Sequence, residues 1–296
     1  MENKIRLAKS LVFETPYSKC SAEYLLGEGE SGKVFAGKDE TGHKWAIKYL
    51  DPRKATKEKN KRFKNEVIFC LKSKHPNIVT VFDYGIRKDR DGKSPFYVMP
   101  IYDSSLRNLL RAKIPSGEVL KYFHQILNGV ETAHSRGVIH RDLKPENILY
   151  EAGSDRLLIA DFGIAHFAEE DLFRAVRARD SARSPIFPYA APEQHAPGSK
   201  VTNLADIYAL GLILNEMFTG EVPSGAQYKK IAQVSSAHEY LDPLVGRMIC
   251  QSPQGRPASI ADVRIKIGPF AKENVSVHKN VDHGQTYPKG RSPWTI

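Results

Sequence analysis

A chain of 296 residues, 41% of them hydrophobic, can bury a large core and suits one unit of two lobes better than three separate domains. Nowhere do about 18 apolar residues run together, and residues 1–11 lack the apolar stretch of a signal peptide, so the expectation is a cytoplasmic chain with no membrane span. Three scattered cysteines, Cys20, Cys70 and Cys250, exclude a disulfide framework or a cysteine-built zinc site, and the formal charge of +10 comes with no nucleic-acid-binding motif, so no nucleic-acid partner is expected.

Residues 1–19 read as an N-terminal extension. From Tyr24 to Tyr49 the pattern is strand, glycine turn, strand, turn, strand, with Asp39 to Gly42 as the second turn. Arg62 to Lys72 spaces Phe63, Val67, Phe69, Cys70 and Leu71 as a helix, which His75-Pro76-Asn77 ends. Two strands follow, Ile78 to Tyr84 and Pro95 to Pro100, joined through Asp91-Gly92. Beyond Asp103 the chain turns helical: Val119 to Ser135 is amphipathic, and Ala205 to Phe218 is apolar nearly all round, which suits the middle of a lobe. The change of character places a hinge at Met99 to Asp103 and gives boundaries of 20–99, 100–270 and a polar tail at 271–296.

The chemistry concentrates in a few short stretches. Gly27, Gly29 and Gly32, with Val34 behind them, let backbone N–H groups approach phosphate oxygens where a Cβ would interfere. Lys48, in Ala46-Ile47-Lys48, lies in an apolar strand, where an ammonium is costly unless it meets opposite charge. His140 to Asn147 carries a base, a cation and an amide at the spacing of phosphoryl transfer: Asp142 to accept a hydroxyl proton, Lys144 to neutralise the moving group, Asn147 to hold a metal ion. Asp161-Phe162-Gly163 follows the apolar run Leu157 to Ala160, which delivers a second hard carboxylate at a turn. Of the ten histidines, none falls in a metal-like pair or beside a nucleophile.

In this order the motifs resemble the eukaryotic-type (Hanks-type) serine/threonine protein kinase family over about residues 20 to 268. The wording Asp161 to Ala165 and Ala191 to Gln194 is closer to bacterial members. The resemblance implies an α+β bilobal fold: a small antiparallel-sheet lobe with one main helix, and a larger, mostly helical lobe. It implies ATP and Mg2+ as the nucleotide and metal, and protein substrates whose identity the residues do not give. Asp142, Lys144, Lys48 and Glu66 are the implied catalytic set, Glu66 pairing with Lys48 in preference to Glu58, which sits in a solvated charged run. Gly27, Gly29, Gly32, Val34, Ala46, Lys48, Met99, Ile101, Tyr102 and Leu149 are the implied nucleotide contacts, and Asn147 and Asp161 the metal ligands. Cys70, Val81, His140 and Phe162 resemble the apolar stack that joins the lobes. Glu193 is matched to Arg256 as a buried pair, and Asp206 to the carboxylate that steadies the catalytic loop.

Two departures bear on function. Pro185-Ile186 stands where the family usually has a Gly-Thr or Gly-Ser pair, so a hydroxyl expected beside Asp142 and Lys144 is missing. Arg174, Arg177, Arg179 and Arg183 surround Ser181 and Ser184, either as a solvated loop or as a phosphorylation site that Arg141 reads. A pseudokinase that binds ATP without turnover, and a kinase of small molecules, are the rival readings; Ala191-Pro192-Glu193, a segment for docking polypeptide, speaks against the second.

Overall fold

The computed structural model describes residues 5–15, 17–29, 32–90, 92–162, 188–196, 198–225 and 227–268. Gly163, the arginine cluster with Ser181 and Ser184, Pro185-Ile186 and the 271–296 tail lie outside them.

The first lobe is one antiparallel sheet of six strands in the order β1-β2-β3-β4-β6-β5: β1 (Ile5–Glu14), β2 (Lys19–Gly29), β3 (Gly32–Asp39), β4 (Lys44–Tyr49), β5 (Asp83–Asp89) and β6 (Gly92–Met99). Period-2 alternation sorts its side chains onto two faces. Ile47 and Tyr49 of β4 join Phe13, Cys20, Ala22, Phe35, Phe96 and Val98 in a core of their own. Ala46, one position before Ile47 and so on the opposite face, belongs with Tyr97 and Met99 to the large core that continues into the second lobe.

Against that second face packs α1 (Lys57–Ser73). Its N-cap Thr56 accepts a hydrogen bond from Lys59 N at 3.2 Å, its buried stripe is Phe63, Glu66, Val67 and Cys70, and it stops at Lys74 in the left-handed region, two residues before Pro76. The charged run from Lys57 to Lys61 is its opening turns.

The sequence pattern placed a strand at Ile78 to Tyr84, but β5 begins at Asp83. The buried Ile78, Val79 and Val81 lie in a crossing segment, held to the other lobe by Val79 N donating to Ile159 O and Ile159 N donating to Asn77 O, both at 3.0 Å. A short apolar run reads the same whether it is a strand or a buried connection. Residues 1–19 also hold more than an extension, since β1 fills Ile5–Glu14 and buries Phe13.

After Met99 the chain leaves the sheet, and a small sheet of β7 (Ser104–Ser105), β8 (Ile148–Glu151) and β9 (Arg156–Ile159) flanks the helices α2 (Leu106–Ala112) and α3 (Ser116–Ser135). The central helix α4 (Leu204–Thr219) is buried on nearly every side and ends at Gly220, whose φ of 75° a side chain would resist. Helices α5 (Asp242–Met248) and α6 (Ile260–Ile267) close the lobe. Among the described residues no helix is long and apolar enough to cross a membrane.

One buried ion pair locks this lobe. Arg256 donates to both oxygens of Glu193, at 2.7 and 2.8 Å, and also to the carbonyls of Cys250 and Leu204. Removing one partner strands the other charge, so Arg256→Met should cost about 3–5 kcal/mol of folding stability, read by urea denaturation; a loss near zero would mean the pair contributes no net hold.

Candidate active site

The site is assembled around β4. In register, Lys48 faces Val34 on β3 and Tyr97 on β6, and its side chain is 2% exposed. An ammonium this dry needs anions, and two reach it. Glu66 of α1 accepts from Lys48 Nζ through both oxygens, at 2.9 and 3.1 Å, and is itself fixed by Tyr97 OH at 2.9 Å. Asp161, just beyond β9, accepts a further bond from the same nitrogen. Burial pulls the Lys48 pKa down, but the carboxylates of Asp161 and Glu66 outweigh it and hold the ammonium above the ordinary lysine range. One cation thus ties the sheet, its helix and the other lobe together.

The segment from His140 to Asn147 is held from beneath by Asp206, in the first turn of α4. Its two oxygens accept from His140 N at 2.8 Å and Arg141 N at 2.7 Å, and His134 of α3 lies 2.8 Å from the same carboxylate. Arg141 has a φ of 65°, a conformation that costs a non-glycine residue about 1 kcal/mol or more and survives only where neighbours enforce it. Gln194, beside the Glu193 pair, donates to Arg141 O at 2.8 Å. His140 is 1% exposed, its Nε2 lies 2.8 Å from Ala160 O and its ring 4.9 Å from Phe162, which makes it a packing residue.

On this support Asp142 presents a partly exposed carboxylate. Its Oδ2 accepts from Lys144 Nζ at 2.8 Å and Asn147 Nδ2 at 3.0 Å, while Asn147 Nδ2 also donates to Asp142 O at 2.8 Å. Ala160 N donates to Asn147 O at 2.8 Å, which sets Asp161 beside Asn147. Lys48, Asp161, Asn147, Asp142 and Lys144, spread over 113 positions of chain, are therefore linked, Asp161 to Asn147 through the Ala160 backbone and the others through side-chain bonds.

The remaining expected nucleotide contacts fall around this chain of bonds. Ala46 and Met99 face each other in register and are buried, and Val34, Ile101, Tyr102 and Leu149 pack partly buried against the same core. Tyr102, its hydroxyl pushed up to about 12 by burial, accepts from Thr80 N at 3.4 Å.

The glycines divide. A Cβ on Gly32 would lie 2.4 Å from Tyr49 O, and its φ is +128°, so packing within the protein already demands glycine there. At Gly27 and Gly29 a Cβ would meet nothing within 4 Å, so nothing among the described residues requires them bare. Bare backbone there suits the close approach of a ligand.

The donor set also fits a hard cation. Asn147 spends its two bonds to Asp142 through Nδ2, leaving the amide oxygen, and the Asp161 side chain is 27% exposed. Among the described residues no group of three or more His, Cys, Asp or Glu forms a metal cage. A magnesium ion on these two residues would take its other oxygens from phosphates and water.

Sequence reasoning missed two features. Phe69, one position before Cys70, has its ring 4.5 Å from Phe162 and adds to the stack between lobes. Arg107 of α2 donates to Glu146 at 2.7 Å, Glu216 at 2.5 Å and Tyr189 OH at 2.6 Å, and so welds the catalytic segment to α4. Its partners lie up to 109 positions away in no shared motif, and only the fold brings them together.

Replacing Lys48 exposes the electrostatics. In Lys48→Met, Glu66 and Asp161 lose their cation, and Glu66, whose pKa burial already pushes up, should rise further. A folded pKa above the unfolded value adds stability below pH 4.5 and withdraws it as pH rises through the folded value. The variant should thus lose about 3–5 kcal/mol at pH 8 and recover part of it on acidification toward pH 5, more than the unsubstituted protein does, in melting curves at the two pH values.

Comparison with known proteins agrees with this geometry. A family model described as "Protein kinase domain" matches residues 21–261. The serine/threonine-protein kinase pkn3 of Myxococcus xanthus is 31% identical over 283 residues, covering 86% of this chain and 50% of that protein. Serine/threonine-protein kinase A of Synechocystis is 30% identical over 274 residues, covering 82% and 51%. The chain thus spans about half the length of these curated relatives. The crystal structure of the Mycobacterium tuberculosis PknI kinase domain superposes with a TM-score of 0.63 at 28% identity, over 84% of this chain and 94% of that one. The two-lobed fold, the ordered motifs and the match over residues 21–261 place this chain in the protein kinase domain family.

Proposed function

We propose that the chain is an ATP-dependent serine/threonine protein kinase that transfers the γ-phosphoryl of Mg-ATP to hydroxyls of protein substrates. The observation that carries this reading is the run of bonds from Lys48 to Asp161, from the adjoining Ala160 backbone to Asn147, and on to Asp142 and Lys144.

In this reading Asp142 accepts the proton of the incoming hydroxyl, and its bonds to Lys144 and Asn147 fix the carboxylate in one orientation. Lys144 lies close enough to offset charge growing on the transferred group. Lys48, kept charged by Glu66, anchors phosphate, and the backbone at Gly27 and Gly29 covers it. Magnesium, held by Asn147 and Asp161, would neutralise phosphate charge. Val34, Ala46, Met99, Ile101, Tyr102 and Leu149 take the base, with the lobes meeting at residues 100–103. Positioning and electrostatics supply the catalysis, with no covalent step on the enzyme.

Asp142, Lys144, Asn147, Lys48, Glu66 and Asp161 are all present, which favours an enzyme over a pseudokinase, whose one support is Pro185-Ile186. Asp142→Asn should lower phosphate incorporation into a peptide pool about 10²–10⁴-fold while leaving nucleotide binding within a small factor. Equal incorporation by both proteins would remove Asp142 as the base, and none by either would favour the pseudokinase. Ser181 and Ser184 stand among arginines in the sequence, and phosphopeptide mapping of active protein should find one of them modified; finding both bare would remove autophosphorylation there.

A further inference from the structure

The strand β1 lies before the residues that the family model matches, yet it is built into the lobe that carries Lys48. It pairs antiparallel with β2, Phe13 opposite Cys20 at one end and Ile5 opposite Leu25 at the other, with an irregularity between Arg6 and Leu11. Strand β2 is the one that carries Gly27 and Gly29. Without β1 it would be an edge strand with one side of its backbone unpaired, the least constrained position in a sheet.

Phe13 anchors the strand. Its side chain is 1% exposed, and its ring lies 5.9 Å from Phe35, 5.3 Å from Tyr49 and 5.1 Å from Phe96, the last two edge-on. Tyr49 follows Lys48 directly, so the ring of Phe13 presses on the reverse face of the strand that presents the ammonium.

The two edges of the sheet are also clasped. The turn after β1 offers Thr15 Oγ1 and Ser18 Oγ, which donate to Asp83 Oδ2 at 2.5 and 2.7 Å, and Asp83 opens β5 at the opposite edge. Arg87 of β5 donates to Val12 O at 3.2 Å and sets its guanidinium 5.3 Å from the Phe13 ring.

We propose that β1, through Phe13 and the clasp of Thr15 and Ser18 on Asp83, is a positioning element for nucleotide: it holds β2 and β4 so that the backbone at Gly27 and Gly29 sits over Lys48. Phe13 acts through Tyr49 and β2 and touches no substrate. The inference rests on the nucleotide site proposed above.

The test uses the full chain with three changes: Phe13→Ala, the milder Phe13→Leu, and the double change Thr15→Val with Ser18→Ala, which releases the clasp from a partly exposed turn. Nucleotide dissociation constants and KM for ATP are measured with magnesium present, well below each melting temperature, beside KM for a peptide. The expected result is a weakening of ATP by about threefold or more in Phe13→Ala and in the double variant, with peptide KM unchanged. If Phe13→Ala does not fold, Phe13→Leu and the double variant carry the comparison. Melting temperatures that fall while ATP binding stays at the original value would assign β1 to stability alone and overturn the proposal. Lys48→Met serves as reference: undiminished ATP binding there would overturn the nucleotide site itself, and this inference with it.

Discussion

A lysine ammonium placed almost out of contact with water governs the arrangement of this molecule. Lys48 is 2% exposed, and a lone charge at such depth would shed its proton or force the strand outward. It stays charged because Glu66 and Asp161 meet it, and these carboxylates belong to different parts of the fold, α1 and the turn beyond β9. The electrostatic requirement of one side chain therefore fixes where the helix lies on the sheet and how the first lobe meets the second. Tyr97, opposite Lys48 on β6, secures Glu66 from the far side and makes the pair a feature of the whole sheet.

The second lobe works by a complementary device. Asp206 stands at the start of a helix buried on nearly every side, and is itself 1% exposed. From there it grips two successive backbone N–H groups and holds Arg141 at its unfavourable φ. Asp142 consequently leaves the loop in a set direction. Arg107 and the Glu193–Arg256 pair brace the same loop from two other sides, through Glu146 and through Gln194. In the proposed reading, the braced Asp142 and the bare backbone at Gly27 and Gly29 divide between the lobes the two demands of phosphoryl transfer, a well-aimed base and a cover that admits the nucleotide.

Much of this was legible in the sequence because the chemistry comes as short strings. Asp142, Lys144 and Asn147 lie within six positions, and Lys48, Glu66, Asp206, Glu193 and Arg256 each sit in a recognisable local setting. What escaped was whatever depends on pairing across the fold. The β1 strand hid because its alternation is diluted: Leu7, Leu11 and Phe13 keep the every-other-residue phase, but the exposed Lys9 interrupts it while the apolar Ile5 and Val12 are exposed. Ile78 to Val81 misled for the opposite cause: it is as apolar as a strand but bonds across to Ile159. Arg107 belongs to no string, and Phe69 stands in the helical pattern of α1 with nothing to mark its contact with Phe162; their partners become neighbours only after α2, α4 and the lobe boundary are in place.

In the proposed reading one triphosphate with its metal engages both lobes at once. Crystallising the protein with magnesium and a non-hydrolysable ATP analogue tests this most directly. The expected result is phosphate oxygens between the Gly27–Gly29 backbone and Lys48 Nζ, with the metal on the Asn147 amide oxygen and the Asp161 carboxylate. Nucleotide bound elsewhere, or a metal that touches neither Asn147 nor Asp161, would contradict it.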